Sequence, residues 1–118
     1  AVALPLEREA LAPEIDAADL LVQTTTLGMA GNREMPVDDE LLQPRLLVAD
    51  IVYTPLMTPL LRAAKARGCA VVPGWGMLLY QGVEAFERWT GVPAPVSVMR
   101  EVLLAALEGE RREGEDER

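Results

Sequence analysis

The sequence predicts a three-layer α/β fold, a small parallel sheet between helices, organised as the second half of a doubly wound domain. Three observations predict it. Leu46–Val52 is a nearly continuous apolar run, the pattern of a strand covered on both faces. Pro59–Arg67 sets Leu60, Leu61, Ala63 and Ala64 against Arg62, Lys65 and Arg67 at helical spacing, one face for a sheet and one for water. Gly68 then stops the helix and Cys69–Val72 returns to an apolar run. Strand, helix and strand in that order require a right-handed parallel crossover, so residues 46–72 form one βαβ unit.

The remaining elements follow in chain order. Residues 1–18 are punctuated by Pro5 and Pro13, leaving room for a turn or so of helix at Glu7–Ala12. Asp19–Thr24 is short, apolar and reads as a first strand, followed by a turn in which Gly28 supplies a conformation other residues resist. Ala30–Pro36 is loop, and Val37–Leu42 offers at most a short helix with its acids at the favourable end. Thr58 is placed to cap the 59–67 helix and Pro59 to occupy its first position. Two helices close the fold, Met77–Trp89, ending before Gly91, and Val96–Leu107. Residues 1–107 are thus expected to form the ordered unit, and the charged stretch 108–118, with nothing apolar to bury, a disordered tail.

The most informative stretch is Val72–Gly82. It joins an apolar strand to a helix through Gly74 and Gly76 and carries the amide Gln81, and small ligands sit at such junctions in α/β proteins. Composition narrows the chemistry. Nineteen acidic residues against eleven basic ones give a net charge of −8 over 118 residues, which repels nucleic acid and anionic membrane surfaces. Histidine is absent, removing the usual neutral-pH base and the commonest metal ligand, and no metal site is expected. The single cysteine, Cys69, permits no internal disulfide and fits a reducing compartment. No apolar run reaches the roughly 18 residues needed to span a bilayer. The N-terminus lacks the pattern of a signal peptide, so a cytoplasmic location is expected.

Three blocks bring the chain close to a known family. Gln23-Thr-Thr-Thr-Leu-Gly-Met29 resembles Asn-Ala-Thr-Pro-x-Gly-Met, and Asp50-Ile-Val-Tyr-Thr-Pro-Leu-Met-Thr-Pro-Leu60 resembles Asp-x-Val-Tyr-Asn-Pro-x-x-Thr-x-Leu. Pro73-Gly-Trp-Gly-Met-Leu-Leu-Tyr-Gln81 is similar to Asp-Gly-x-Gly-Met-Leu-x-x-Gln. In this order they resemble the C-terminal part of shikimate dehydrogenases and their quinate/shikimate relatives, over roughly residues 19–107. The resemblance implies a Rossmann-like, NADP-binding domain and hydride transfer between NADPH and 3-dehydroshikimate, giving shikimate. It implies that Tyr53 and Gln81 contact the substrate. Ile51, Gly74 and Met77 would lie about the nicotinamide, and Thr24 and Thr25 close to the dinucleotide.

The resemblance makes none of these the family's proton donor, so no catalytic residue is expected within the chain. In the family a lysine and an aspartate of an N-terminal domain do the acid/base work, and a Gly-rich loop receives the pyrophosphate. The sequence has neither that domain nor a G-x-G-x-x-G. Alone, the chain is expected to be inactive, with the N-terminal catalytic domain as its missing partner. Within the blocks, Gln23, Thr26, Thr54 and Pro73 depart from the family's asparagine, proline, asparagine and aspartate. Without the family, Tyr53 reads as a half-buried packing residue, Gly28 and Gly74 as turn formers, and Asp50 as a buried carboxyl held by local hydrogen bonds. Three other readings stand beside this one: a non-catalytic binding or regulatory module, a quinate/shikimate dehydrogenase using NAD, and self-association through unpaired strand edges.

Overall fold

The computed structural model describes residues 1–29 and 31–116. Its centre is a three-stranded, wholly parallel sheet in sequence order, β1 (Leu20–Gln23), β2 (Leu47–Asp50) and β3 (Ala70–Val72). The register aligns Leu20, Leu47 and Ala70 across the sheet and ends with Gln23 beside Asp50. Between β2 and β3 runs α2 (Pro59–Ala66), the expected crossover helix, capped by Thr58 and stopped at Gly68, whose φ of 84° suits glycine. Leu60, Leu61 and Ala64 of α2 are buried with Val48, Leu42, Leu46 and Cys69. Burial of that stripe, rather than helix propensity, holds so short a helix in place.

A helix α1 (Arg8–Ala17) precedes the sheet. It is longer than the turn expected between the two prolines and runs through Pro13, because Ile15 is buried in the core and Leu11 packs against it. Its Arg8 forks onto Asp38 (2.6 Å) and Glu40 (2.7 Å), at the 3-10 turn Asp39–Leu41 that stands where the short helix was expected. Alternate residues of the strands divide the sheet. Leu21, Val48 and Val71 face the core beneath α1 and α2, whereas Leu20, Val22, Leu47 and Val72 are exposed on the other face.

After β3 the chain turns into α3 (Trp75–Thr90), which starts two residues earlier than the sequence suggests and ends at Gly91 in the left-handed region, φ 70°. It packs against α4 (Val96–Asp116), with Gly82 opposite Met99. The charged stretch expected to leave the fold after Leu107 instead continues α4 to Asp116. Its glutamates and arginines are good helix formers even without an apolar face. Residues 117 and 118, the remainder of that expected tail, lie outside the described residues.

Candidate functional site

Three parallel strands deliver their carboxyl ends to one edge, and each is followed directly by residues that the sequence marks as ligand-facing. Thr24 and Thr25 follow β1, Ile51 and Tyr53 follow β2, and Gly74 follows β3. Backbone contacts draw the three exits together. The Ile51 N–H donates to the Gln23 carbonyl (3.1 Å), and Gly74 lies hard against the end of β2. A Cβ on Gly74 would stand 2.6 Å from the Ile51 carbonyl oxygen and 2.8 Å from that of Asp50. Glycine is needed there to bring α3 onto the strand end, a reason that holds whatever binds nearby.

Beneath these exits three polar side chains are buried, Gln23 at 3 % exposure, Asp50 at 2 % and Thr58 at 0 %. Gln23 Nε2 donates to the Leu27 carbonyl (2.9 Å) and to Asp50 Oδ1 (3.4 Å), and its Oε1 accepts the Thr25 N–H. Asp50 Oδ1 also accepts the Val52 N–H (2.9 Å), and Oδ2 accepts the Thr58 hydroxyl (2.7 Å). Thr58 Oγ1 in turn accepts the Leu61 N–H (3.2 Å) as the cap of α2. Among the described residues no buried side-chain nitrogen or oxygen is left without a partner. Asp50 is therefore a structural carboxyl, as its place in an apolar strand suggested, with donors on both oxygens to offset its burial.

The candidate ligand residues sit outward from this cluster. Thr24 and Thr25 are exposed, and Thr25 Oγ1 accepts the Leu27 N–H (3.2 Å). Ile51 is half-buried. Tyr53 is 37 % exposed, at the head of a loop that contains the cis Thr54–Pro55 peptide. Met77, at 55 % exposure, and Gln81 lie one turn apart on α3 and share a face. Gln81 Nε2 donates to the Leu78 carbonyl of its own helix (3.0 Å). The exits of β1 and β2 thus carry two hydroxyls and a phenol near the half-buried Ile51, and the exposed face of α3 carries Met77 and the Gln81 amide.

Sequence reasoning placed Asp50 and the Thr58 cap but missed that Gln23 joins them. That contact depends on the β1–β2 register, which no local pattern encodes; the only available signal was an amide at a strand end. Among the described residues no three metal-ligating side chains come together. The sole cysteine is buried, its Sγ–H donating to the Gln43 carbonyl (3.1 Å), and burial raises its pKa.

The family model described as the shikimate 5'-dehydrogenase C-terminal domain matches residues 74–104. A shikimate dehydrogenase (NADP(+)) of Archaeoglobus fulgidus is 52 % identical over 90 residues, 75 % of this chain and 34 % of the relative. Among solved structures, the quinate dehydrogenase of Corynebacterium glutamicum in complex with NAD aligns with a TM-score of 0.78 and 38 % identity, covering 82 % of this chain and 34 % of that one. The shikimate 5-dehydrogenase of Thermus thermophilus in complex with NADP(H) and shikimate aligns with a TM-score of 0.72 and 40 % identity, covering 88 % and 38 %. The chain spans about a third of the length of the curated relatives it matches. It corresponds to their C-terminal part, and its parallel sheet is part of a Rossmann-like fold, as the three sequence blocks implied.

Proposed function

We propose that this chain is the C-terminal part of an NADP-dependent shikimate dehydrogenase and supplies one wall of its active-site cleft. Residues 1–107 would be the second half of the nucleotide-binding domain with its terminal helices. The observation that carries the reading is the convergence, at one sheet edge, of all three blocks of the resemblance, with Tyr53 exposed there and Met77 and Gln81 exposed on the helix that leaves it. Relatives named as NADP-dependent shikimate dehydrogenases, and a neighbour solved with shikimate and NADP(H), support the substrate and cofactor.

The residues present fit the nicotinamide end of the dinucleotide and not its phosphates. Ile51 and Met77 give apolar surface for a ring, with Thr24, Thr25 and Gly74 beside it, whereas the sequence has no Gly-rich phosphate loop. When bound, a nicotinamide supplies the hydride acceptor or donor. Tyr53 and Gln81 hold the substrate by neutral hydrogen bonds, which orient it without moving a proton. The proton passes to a group outside these residues, so the chain by itself binds but does not turn over substrate. The net charge of −8 argues for a small-molecule ligand rather than nucleic acid, and the free, buried Cys69 suits the reducing cytoplasm.

A chimera tests this. Residues 19–107 replace the matching third of the Archaeoglobus fulgidus enzyme, and NADP+-linked oxidation of shikimate is followed at 340 nm. Activity that falls with Gln81→Ala while folding is unchanged supports the assignment. A folded chimera that binds neither shikimate nor NADP+ sinks it, and turnover of quinate with NAD+ in preference would move the reading to that branch.

A further inference from the structure

We infer that Gln23 and Thr58, acting through Asp50, are positioning residues that lock the two ligand-facing loops of the candidate site into one unit. This rests on the reading of that edge as a ligand site, but the geometry that carries it is independent of any ligand. The first loop, residues 24–29, is gripped from within, because Gln23 accepts the Thr25 N–H and donates to the Leu27 carbonyl. The second loop, residues 51–57, is closed by its own ends, Asp50 accepting the Val52 N–H on one oxygen and the Thr58 hydroxyl on the other. The two grips share one bond, from Gln23 Nε2 to Asp50 Oδ1 (3.4 Å). They also touch on the far side, where a Cβ on Gly28 would meet Pro59 Cδ at 3.4 Å and Thr58 Cβ at 3.6 Å.

The consequence concerns spacing. Thr24 and Thr25 ride on one loop, Ile51 and Tyr53 on the other, and the distance between the two pairs is set by side chains buried from solvent. Buried polar clusters with every partner satisfied have one low-energy arrangement, so a change at one member is felt by the rest. Gln23 is also where the chain departs from the family's asparagine; its longer side chain spans Leu27 and Asp50 at once.

The test is residue-resolved amide hydrogen exchange on the full 118-residue chain. Thr58→Val is expected to speed exchange at Val52 and at Thr25 by about fivefold to tenfold, the effect of one lost buried hydrogen bond on local opening, although neither amide bonds to Thr58. Thr58→Ser, which keeps the hydroxyl, restores both rates. Acceleration confined to Leu61 and its neighbours would show that Thr58 only caps α2, and equal acceleration across all three strands would show general destabilisation; either result overturns the inference. If Thr58→Val unfolds the chain, Gln23→Asn gives the reciprocal readout at Val52. In the active chimera, Thr58→Val should raise KM for NADP+ and Thr58→Ser should not; unchanged kinetics alongside coupled exchange would overturn the positioning role. An inactive chimera with coupled exchange would remove the ligand reading instead, and the two failures are therefore distinguishable.

Discussion

Helices α2 and α3 both begin at the carboxyl edge of the sheet, yet they are fastened there by opposite means. α2 is held by added chemistry: Thr58 caps it, and the same hydroxyl donates to the buried Asp50. α3 is held by subtraction. Its first turn has no side-chain cap, and it reaches the strand end only because Gly74 presents no side chain to the Ile51 carbonyl. A hydrogen-bonded junction can be weakened by degrees, whereas this steric one has no room for even a methyl group. The first kind suits a fastening shared with other parts of the site, and the second fixes a single approach.

The sharpest way to break this contrast is at the steric junction. Gly74→Ala should cost about 3 kcal/mol in urea unfolding, since the new methyl meets backbone that cannot step aside. A loss below about 1 kcal/mol would mean that α3 slides freely and that the junction is not steric. At the hydrogen-bonded junction, Thr58→Val should cost about 2 kcal/mol, combining a lost cap with an unpaired oxygen on Asp50. Thr58→Ser should recover most of that loss, and this graded response is what the steric junction should lack. Gln81→Ala, on the exposed face of α3, should leave stability within about 0.5 kcal/mol while raising KM for shikimate in the chimera by roughly tenfold, one neutral hydrogen bond's worth.

The smallest effect belongs to a fastening away from the edge. The Glu40 N–H, followed by the Arg8 guanidinium, holds Asp38 below the ordinary carboxylate range, against desolvation. Because the folded value is the lower one, this contact stabilises α1 above the pKa of the unfolded aspartate. Its contribution fades as pH falls through the folded value. The unfolding midpoint of Asp38→Asn should therefore lie slightly below wild type at neutral pH and meet it once the pH has dropped beneath that folded value, a convergence that a titration of urea curves would show.

Much of the fold was legible because it rests on local patterns. The crossover unit is written in an apolar run, an amphipathic octet, a Thr-Pro start and a glycine stop, and each appears where it was expected. Three things were not legible in those patterns. α1 runs through Pro13 because Ile15 finds a place in the core, a tertiary gain that outweighs a missing amide donor. α4 continues past Leu107 because charged helix formers sustain it, where polarity had suggested an end. The union of Gln23 with Asp50 needed the register of two strands 27 positions apart in sequence. Family resemblance marked Tyr53 and Gln81 for a ligand, but did not tell that Gln23, Asp50 and Thr58, which lie in the same blocks, join in one buried cluster.

Cys69 turns the seam between α2 and β3 into a clock. It is the only cysteine in the chain, buried, with its thiol bonded to Gln43 and its ionisation suppressed by burial. An alkylating reagent needs an exposed thiolate, so the rate of labelling reports how often this seam opens rather than how fast the reagent reacts. Mass spectrometry of the modified chain would time that opening without any introduced probe, and adding a ligand that tightens the sheet edge should slow the clock.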